Sequence, residues 1–231
     1  MKIAALLTGK KNSSLKNKNT MIINGKPVCF YPAFEATKSK LIDSFFVSSD
    51  SNKILDICYK LGYAKIKRPK KLSTANAKHI DVILHALKIM KINKCMPDIL
   101  LVLLANSPTI KTSWIDSCLK KIINNSLVTS VVPVIKNNDH HPFRSKKLLN
   151  NYLVPFYNNK NISSNRQDLP SCYFLGHNFW VLRTREVIKD HGYGPWGFMG
   201  KKVSPFIVDE IVDIHSPEDL YSCKQWLKKN K

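Results

Sequence analysis

A chain of 231 residues, 44% of them apolar, is long enough to form one globular domain with a complete hydrophobic core. Its formal net charge of +21 comes from 37 basic residues, of which 32 are lysines. They are spread along the chain without a long basic run or a nucleic-acid-binding motif, so we expect no nucleic-acid partner. The charge indicates a solvated lysine surface or, alternatively, a field that attracts a polyanionic small ligand.

The sequence also contains no candidate membrane segment. No apolar stretch approaches the roughly 20 residues that span a bilayer. The first apolar run, Ile3–Leu7, is too short for the core of a signal peptide. We therefore expect a cytoplasmic protein with no membrane partner.

The six cysteines are far apart and form no Cys-x-x-Cys pair. That spacing suits neither a zinc site nor a small disulfide framework, so we expect reduced thiols, mostly in the core.

Short apolar runs alternate with segments of helical composition over the first 134 residues. We predict strands at Ile3–Leu7, Ser44–Ser49, Ile99–Leu104 and Leu127–Val134. We predict helices at Pro32–Lys40, Ser51–Leu61, Ile80–Met90 and Trp114–Ile123. Strands that alternate with helices indicate βαβ units, and hence an α/β fold with a mostly parallel sheet.

This alternation is interrupted from about residue 140 to 170. The segment is polar, carries aromatic residues and lacks a clear period, which indicates an insert, arm or lid. A strand is predicted over Phe174–Leu182, and a last helix over Pro217–Lys228 with Ser216 as its N-cap.

The loop after the first strand is the first candidate site, because open α/β sheets bind ligands beyond the carboxyl ends of their strands. Residues 8–19 lack both the P-loop and the Gly-x-Gly-x-x-Gly spacing. They contain four lysines among Asn and Ser donors, a composition able to neutralise a triphosphate. A plain exposed basic loop would have the same composition, so both interpretations stay open at this point.

Eight short motifs then follow one another along the chain. They are Asn24–Pro27 (NGKP), Val47–Asp50 (VSSD), Arg68–Ser73 (RPKKLS), Ile80–Leu87 (ending HAL), Leu103–Thr112 (LLANSPTIKT), His140–Phe143 (HHPF), Arg166–Pro170 (RQDLP) and Ile211–Leu220 (IVDIHSPEDL). In order and spacing they resemble the acylneuraminate cytidylyltransferase family, which makes CMP-sialic acid and related CMP-activated nonulosonic acids. The resemblance covers nearly the whole chain.

The resemblance implies a Rossmann-like nucleotidyltransferase fold in a single domain, residues 1–231, with a mostly parallel sheet flanked by helices. Residues of about 140–170 would be an inserted dimerisation arm. It also implies an enzyme of surface glycan biosynthesis that transfers CMP from CTP to the anomeric hydroxyl of a sialic-acid-like nonulosonic acid and releases pyrophosphate. Mg²⁺ would be the cofactor, and a homodimer the assembly.

The same resemblance assigns roles to individual residues. Lys18 and Asp213 would be catalytic, and Asp213 and His215 would bind the metal. The nucleotide would contact Thr8, Gly9, Lys10, Lys11, Asn19, Arg68, Ala77 and His79. The sugar would contact Ala105, Asn106, Arg144, Arg166, Gln167 and Trp180.

The chain departs from the family pattern at three places. The family has an Arg and a Lys in the first loop, and here Lys10 and Lys11 are the nearest replacements. Ala105 stands where the family has Gln, and His215 where the family has the second Asp of an Asp-x-Asp pair. Two alternatives therefore stay open: a relative that uses another acid sugar or another NTP, and a divergent homologue that binds nucleotide or sugar with weak catalysis.

Overall fold

The main sheet is centred on strands that are apolar and buried on both faces. The computed structural model describes residues 1–11, 15–157, 162–189 and 194–230. In it, β1 (Ile3–Thr8) pairs in parallel with β4 (Ser44–Ser49) on one side and with β6 (Ile99–Leu104) on the other. All six residues of β1 are buried, as expected of a strand covered by helices on both faces.

The outer strands extend this parallel centre in both directions. β5 (Ala64–Lys67) pairs in parallel with β4 at one edge. On the other side β11 (Phe179–Arg183) runs antiparallel between β6 and β7 (Ser130–Lys136). β10 (Tyr173–Leu175) and β12 (Val203–Ile207) also pair with β7.

Helices cover both faces because successive residues of each strand point to opposite sides. Ala5 and Leu7 of β1 pack towards α1 (Phe30–Thr37), α2 (Asn52–Tyr59) and α4 (Thr112–Ile123). Ala4 and Leu6 pack towards α3 (His79–Ile92) and α5 (Thr184–Ile188).

Besides the hydrophobic cores on the two faces of the sheet, a third, smaller hydrophobic cluster packs residues from near both ends of the chain against one another. The hairpin of β2 (Ile22–Ile23) and β3 (Lys26–Pro27) leads into it through Ile23 and Val28, and α6 (Pro217–Lys229) contributes Cys223. The Ser216 side chain and Asp219 form a reciprocal capping box at the start of α6. The predicted N-cap is therefore confirmed.

One predicted strand is wrong in its continuity. The segment predicted as one strand over Phe174–Leu182 is divided into β10 and β11. The division falls at Gly176, whose N–H donates to the Pro133 carbonyl, and a Cβ on Gly176 would lie 2.2 Å from Ile211 Cδ1. The chain changes partners there, from β7 alone to a place between β6 and β7.

Smaller differences concern the ends of elements. β7 begins at Ser130 rather than at Leu127, and β5 and the β2–β3 hairpin were not predicted. β5 was missed because its sequence, AKIK, has a single buried residue, Ile66, and so carries almost no hydrophobic pattern.

The segment predicted as an arm contains a two-stranded hairpin outside the main sheet. Its strands are β8 (Lys146–Leu149) and β9 (Tyr152–Pro155), and residues 158–161 lie outside the described part of the chain. We call residues 146–157 the arm hairpin. Its role in dimerisation stays a prediction.

Two further expectations concern the whole chain. All six cysteines are free; Cys29, Cys58, Cys118 and Cys223 are buried and the other two are half-buried. Among the described residues, none of the helices combines the length and apolar character needed to cross a membrane.

Candidate active site

A cleft of about 410 Å³ opens at the edge of the sheet where β1, β5 and β6 end. This is the edge at which open α/β sheets bind ligands. Its lining residues are Thr8, Gly9, Lys10, Lys18, Asn19, Arg68, Leu72, Thr74, Ala77, His79, Val82, Leu104, Asn106, His177, Asp213 and His215.

The floor of the cleft depends on a glycine at the end of β1. The Gly9 N–H donates to the Ser48 carbonyl at 3.2 Å. A Cβ on Gly9 would lie 2.7 Å from the Cβ of Ala105, a distance too short for two carbon atoms. The chain can therefore follow β6 this closely only with glycine at this position.

Thr8 connects the floor to the first turn of α3. Its Oγ1 lies 2.9 Å from His79 Nε2 and 3.3 Å from the Leu103 carbonyl oxygen. Both contacts are satisfied when the hydroxyl donates to the carbonyl and accepts from the Nε2–H of a neutral His79. Burial, with Arg68 and His177 nearby, lowers the pKa of His79 from 6.5 to about 4, so the ring is neutral at pH 7.

Arg68 brings a buried guanidinium to the cleft and is only 6% exposed. Its Nη2 donates to the Ser48 carbonyl at 2.7 Å, and its Nε to Ser48 Oγ at 3.3 Å. Burial lowers the pKa of Arg68 to about 10, while the Asp50 carboxylate opposes this shift. The side chain stays charged at neutral pH and leaves donors for an anionic or carbonyl oxygen.

Lys18 lies in the short 3₁₀ turn Lys18–Thr20 and is 6% exposed. Its Nζ donates to the Ile214 carbonyl oxygen at 2.6 Å. Burial lowers the pKa of Lys18, and the neighbouring Asp213 carboxylate opposes that shift. The adjacent Asn19 donates from Nδ2 to the Lys10 carbonyl at 2.9 Å and so holds the two ends of the loop together.

The segment from Asp213 to His215 is held through its middle residue. Besides accepting from Lys18, Ile214 donates its N–H to the Asn106 carbonyl at 2.9 Å, and its side chain is fully buried. The residues on either side of it, Asp213 and His215, both line the cleft. The Asp213 Oδ2 and His215 Nε2 atoms are 2.5 Å apart.

The structure brings eleven of the predicted residues together in this cleft. They are Thr8, Gly9, Lys10, Lys18, Asn19, Arg68, Ala77, His79, Asn106, Asp213 and His215. Their individual roles stay predictions. Lys11 lies outside the lining: its side chain is exposed and its backbone N–H donates to Asp50 Oδ1 at 2.8 Å. Of the two lysines proposed to replace the missing arginine, only Lys10 is therefore in the cleft.

Ala105 and Trp180 lie behind the cleft wall, each about 1% exposed. Ala105 packs under Gly9, and the Trp180 ring lies 5.1 Å from that of His79 while its Nε1 donates to the Gly176 carbonyl. In this structure both support lining residues and neither faces the open space. Their part in sugar binding stays a prediction.

The predicted residues of the polar segment lie elsewhere. Arg144, Arg166 and Gln167 are exposed and do not line the main cleft. Arg166 and Gln167 border a second cleft of about 670 Å³, where Arg166 Nη1 pairs with Asp139 Oδ1 at 2.6 Å. Sequence motifs identified these side chains, but the path of the polar segment keeps them out of the main cleft within this single chain.

Sequence reasoning missed five lining residues: Leu72, Thr74, Val82, Leu104 and His177. His177 is the one with chemical capacity, and its ring lies 5.4 Å from Trp196 and 6.2 Å from Trp180. The available signal was the polar pair His177-Asn178, which stands between two short apolar runs. The predicted continuous strand hid that signal.

The cleft contains few groups able to bind a metal ion. Within the described ranges, the structure has no group of three or more His, Cys, Asp or Glu side chains arranged for a metal. Asp213 is the one carboxylate among the lining residues just given, and His215 is its neighbour. The donor set is thus one carboxylate and one imidazole, which is not the two-carboxylate pattern that the family resemblance implies.

The lowered pKa of His79 predicts that the folded protein loses stability as the solution becomes acidic. Between pH 6.5 and about 4 the unfolded chain binds a proton at His79 that the folded chain does not, so stability falls as the pH falls through this window. His79→Gln keeps a donor towards Thr8 and removes that proton. We expect urea unfolding at about pH 7 and pH 4.5 to show a smaller acid-induced loss for His79→Gln than for the wild type. His140→Gln, at an exposed position, should behave like the wild type, and equal losses in all three proteins would contradict the prediction.

Comparison with known proteins relates this cleft to a family. Residues 11–183 match the family described as Cytidylyltransferase. The chain is 26% identical to the post-translational flagellin modification protein B of Campylobacter coli, over 95% of the chain and 92% of that protein. It is also 26% identical to a pseudaminic acid cytidylyltransferase of Campylobacter jejuni, over 94% of the chain and 91% of that protein.

A solved structure, that of CMP:2-keto-3-deoxy-manno-octonic acid synthetase complexed with CTP, matches the chain with a TM-score of 0.72. The two are 14% identical, and the match covers 100% of both chains. At that identity the match establishes the fold alone, and it confirms the predicted nucleotidyltransferase fold with a mostly parallel sheet. The family match over residues 11–183, which is more than half of the chain, shows that the chain belongs to the cytidylyltransferase family.

Proposed function

We propose that the protein transfers CMP from CTP to the anomeric hydroxyl of a nonulosonic acid of the pseudaminic or sialic type, and releases pyrophosphate. The observation that carries the proposal is the cleft at the end of β1, where Lys18 and Arg68, both buried, stand with Asp213 over a glycine floor. Membership of the cytidylyltransferase family and the C. jejuni relative support CTP and an acid sugar as the substrates.

The cleft offers different chemistry to the two ends of the nucleotide. Lys10, Lys18 and Asn19 supply cationic and amide donors for phosphate oxygens. The first turn of α3, with His79 kept neutral, forms a less charged wall suited to the base, and the Arg68 guanidinium lies beside it. Because free guanidinium donors pair well with carbonyl and anionic oxygens, Arg68 is the candidate for the base or ribose end.

In the proposed reaction the anomeric oxygen attacks the α-phosphorus and its proton passes to solvent water. A new oxygen–phosphorus bond forms as the bond to the bridging oxygen of pyrophosphate breaks. Catalysis of this kind depends on positioning and on neutralising the charge that develops on phosphate oxygens. Lys18 suits that task because it is fixed by the Ile214 carbonyl, so little rearrangement is needed when charge develops.

A divalent cation is part of the proposal, with Mg²⁺ as the expected ion. Asp213 is the candidate protein ligand, and phosphate oxygens and water would fill the remaining positions. When bound, the cation would neutralise charge on the triphosphate.

A homodimer and a cytoplasmic location complete the proposal. The arm hairpin exposes large apolar side chains to a degree unusual for a surface: Leu148 69%, Leu149 54%, Tyr152 74%, Leu153 74%, Phe156 54% and Tyr157 49%. The cross-strand pairs Leu148–Leu153 and Leu149–Tyr152 lie on opposite faces of the hairpin, so both faces expose apolar side chains, as is typical of a protein interface. We propose that a second copy covers the hairpin, and that Arg144, Arg166 and Gln167 of the same polar segment act near the partner's sugar site.

Two alternatives are supported by specific residues. Ala105 and His215 replace polar and acidic residues of the family pattern, so a different acid sugar or a different NTP is one alternative. A homologue that binds nucleotide or sugar with weak catalysis is the other.

Pyrophosphate release separates these possibilities. We expect release from CTP with a nonulosonic acid and at most a small fraction of that rate with ATP, GTP or UTP. The assay uses the purified chain, a divalent cation and a panel that includes eight-carbon ulosonic acids. Release with an eight-carbon acid, or with GTP in place of CTP, would establish the first alternative. No release with any pair, together with retained nucleotide binding, would establish the second.

Replacing Asp213 tests the catalytic assignment. We expect Asp213→Ala to lower turnover by at least about 100-fold, because it removes the carboxylate of the cleft. Glu210→Ala is the matched control, since Glu210 is an exposed carboxylate nearby in sequence that lines neither cleft. Wild-type turnover in Asp213→Ala would remove this residue from the machinery.

Introducing negative charge into the arm hairpin tests whether the hairpin forms the dimer interface. Leu148 and Leu153 are cross-strand partners, both exposed. We expect the double variant Leu148→Glu, Leu153→Glu to convert a dimer into monomers in analytical ultracentrifugation, because four buried carboxylates in one interface would be strongly unfavourable. Ile92→Glu, at a side chain 65% exposed at the end of α3, should leave the dimer intact. A monomeric wild type, or a double variant that stays dimeric, would contradict the proposal.

A further inference from the structure

The walls of the cleft come largely from two segments of the chain that contain no acidic residue. The first acidic residue is Glu35, and none occurs between Asp56 and Asp81. Residues 8–19 and 68–79, which lie within those two segments, supply ten of the sixteen lining residues. Six lysines precede Glu35, and six lysines and one arginine lie between Asp56 and Asp81. The two segments therefore bring positive charge to the cleft that no carboxylate of their own offsets.

Three exposed lysines lie on the surface beside these walls. We call them the lysine rim: Lys67, Lys70 and Lys71. The first of them ends β5 at the edge of the sheet where the cleft opens. The other two share a 3₁₀ turn with Leu72, which lines the cleft. Lys10 Nζ donates to the Thr74 carbonyl at 3.4 Å, so the loop after β1 lies next to the segment that carries the rim.

The charge of the lysine rim is not neutralised by ion pairs. Within the part of the chain that the structure describes, no carboxylate forms an ion pair with any of its three ammonium groups. The Lys67 ammonium donates to two uncharged acceptors, the Asn52 side chain and the Asp50 carbonyl. The Asp50 carboxylate accepts from the backbone N–H of Lys11. The rim therefore presents its positive charge to solvent at the mouth of the cleft.

A field of this kind acts on a charged ligand before contact. Clefts whose charges have one sign raise the association rates of oppositely charged ligands by about 10- to 1,000-fold. Exposed charges are screened beyond about 10 Å at 0.1 M ionic strength, so the effect is large at low salt and vanishes at high salt. Exposed charges at the edge of a binding site change the association rate more than the dissociation rate.

We propose that the lysine rim captures the triphosphate of CTP by long-range attraction, and that it sets the rate of association without contacting the bound nucleotide. The inference rests on the proposed function, because the cleft must receive CTP. It also separates capture from recognition. Attraction to phosphate charge does not depend on the base, so nucleoside triphosphates should associate at similar rates, and selectivity for cytosine should lie in the dissociation rate.

Stopped-flow fluorescence with methylanthraniloyl-labelled nucleotides measures both rates on the purified full chain, with a divalent cation and no acid sugar. We expect the association rate constant of labelled CTP to fall by at least about tenfold between ~0.01 M and ~1 M ionic strength, as the screening length falls from about 30 Å to about 3 Å. The dissociation rate constant should change far less, because buried cations such as Lys18 and Arg68 are screened less.

Other labelled nucleotides test whether capture depends on the base. Labelled UTP and ATP should associate within about twofold of labelled CTP and dissociate faster. Labelled CDP should associate more slowly than labelled CTP, because it carries less negative charge. Association rates that follow the base and not the charge would contradict the inference.

A double variant removes two charges of the rim. We expect Lys70→Gln, Lys71→Gln to lower the association rate constant of labelled CTP by about fivefold at ~0.01 M ionic strength and to leave it unchanged at ~1 M. The matched control is Lys91→Gln, Lys120→Gln, which removes two exposed lysines from the last turns of α3 and α4. Since α3 begins at the cleft and is about 20 Å long, a charge in its last turn is far from the cleft, and the control should associate like the wild type.

Three results would overturn the inference. Equal loss of association in both double variants would show a general effect of net charge. Faster dissociation from Lys70→Gln, Lys71→Gln would make these lysines direct ligands of the bound nucleotide. A wild-type association rate that does not depend on salt would overturn the inference without any variant.

The same measurements separate this inference from the proposed function. If CTP binds and its association does not depend on salt or on the rim, the capture role is wrong and the proposed function is untouched. If neither labelled CTP nor, in calorimetry, unlabelled CTP binds, the proposed function fails, and the capture role fails with it.

Discussion

The arrangement of the cleft depends on the hydrogen bond from the Lys18 ammonium to the Ile214 carbonyl. This bond is 2.6 Å long and joins residues 196 positions apart. It draws the loop after β1 against the segment before α6, and it thereby brings a cation beside the Asp213 carboxylate. Both partners are buried, so loss of the lysine would leave a carbonyl without its donor, at a cost of about 1–3 kcal/mol. The same contact serves the stability of the fold and the chemistry proposed for it.

The described lining of the cleft carries more positive than negative charge. Lys10, Lys18 and Arg68 face it, whereas Asp213 is the one carboxylate in its described lining. Burial lowers the pKa values of both Lys18 and Arg68, since each lacks enough opposite charge to compensate for lost water. A polyphosphate with a divalent cation would supply that charge. The cleft is therefore complementary to an anion in a way that the lysine-rich surface elsewhere is not.

Where the structure differs from what the sequence alone suggests, the physical cause can be identified. Gly176 interrupts an apolar run because its backbone meets Pro133 and Ile211, which no local pattern reveals. Motif matching grouped Arg166 with the sugar site, but in the single chain its segment leads it to Asp139 at a second cleft. Trp180, which the family resemblance places at the sugar, lies beneath His79 and does not line the cleft in the single chain. In each case the decisive neighbour is distant in the sequence.

The amino-acid sequence by itself determined the alternation of strands and helices, the α/β class, the position of the cleft after β1 and the family to which the motifs pointed. These follow from local information: hydrophobic period, capping residues such as Ser216, and short motifs in a set order. Only the tertiary structure decided which side chains share the cleft, that Lys10 reaches it while Lys11 does not, and that Asp213 meets His215 with Asp219 already committed to a helix cap. Those outcomes depend on where long-range hydrogen bonds and packing direct each side chain, and residues far apart in the chain set them.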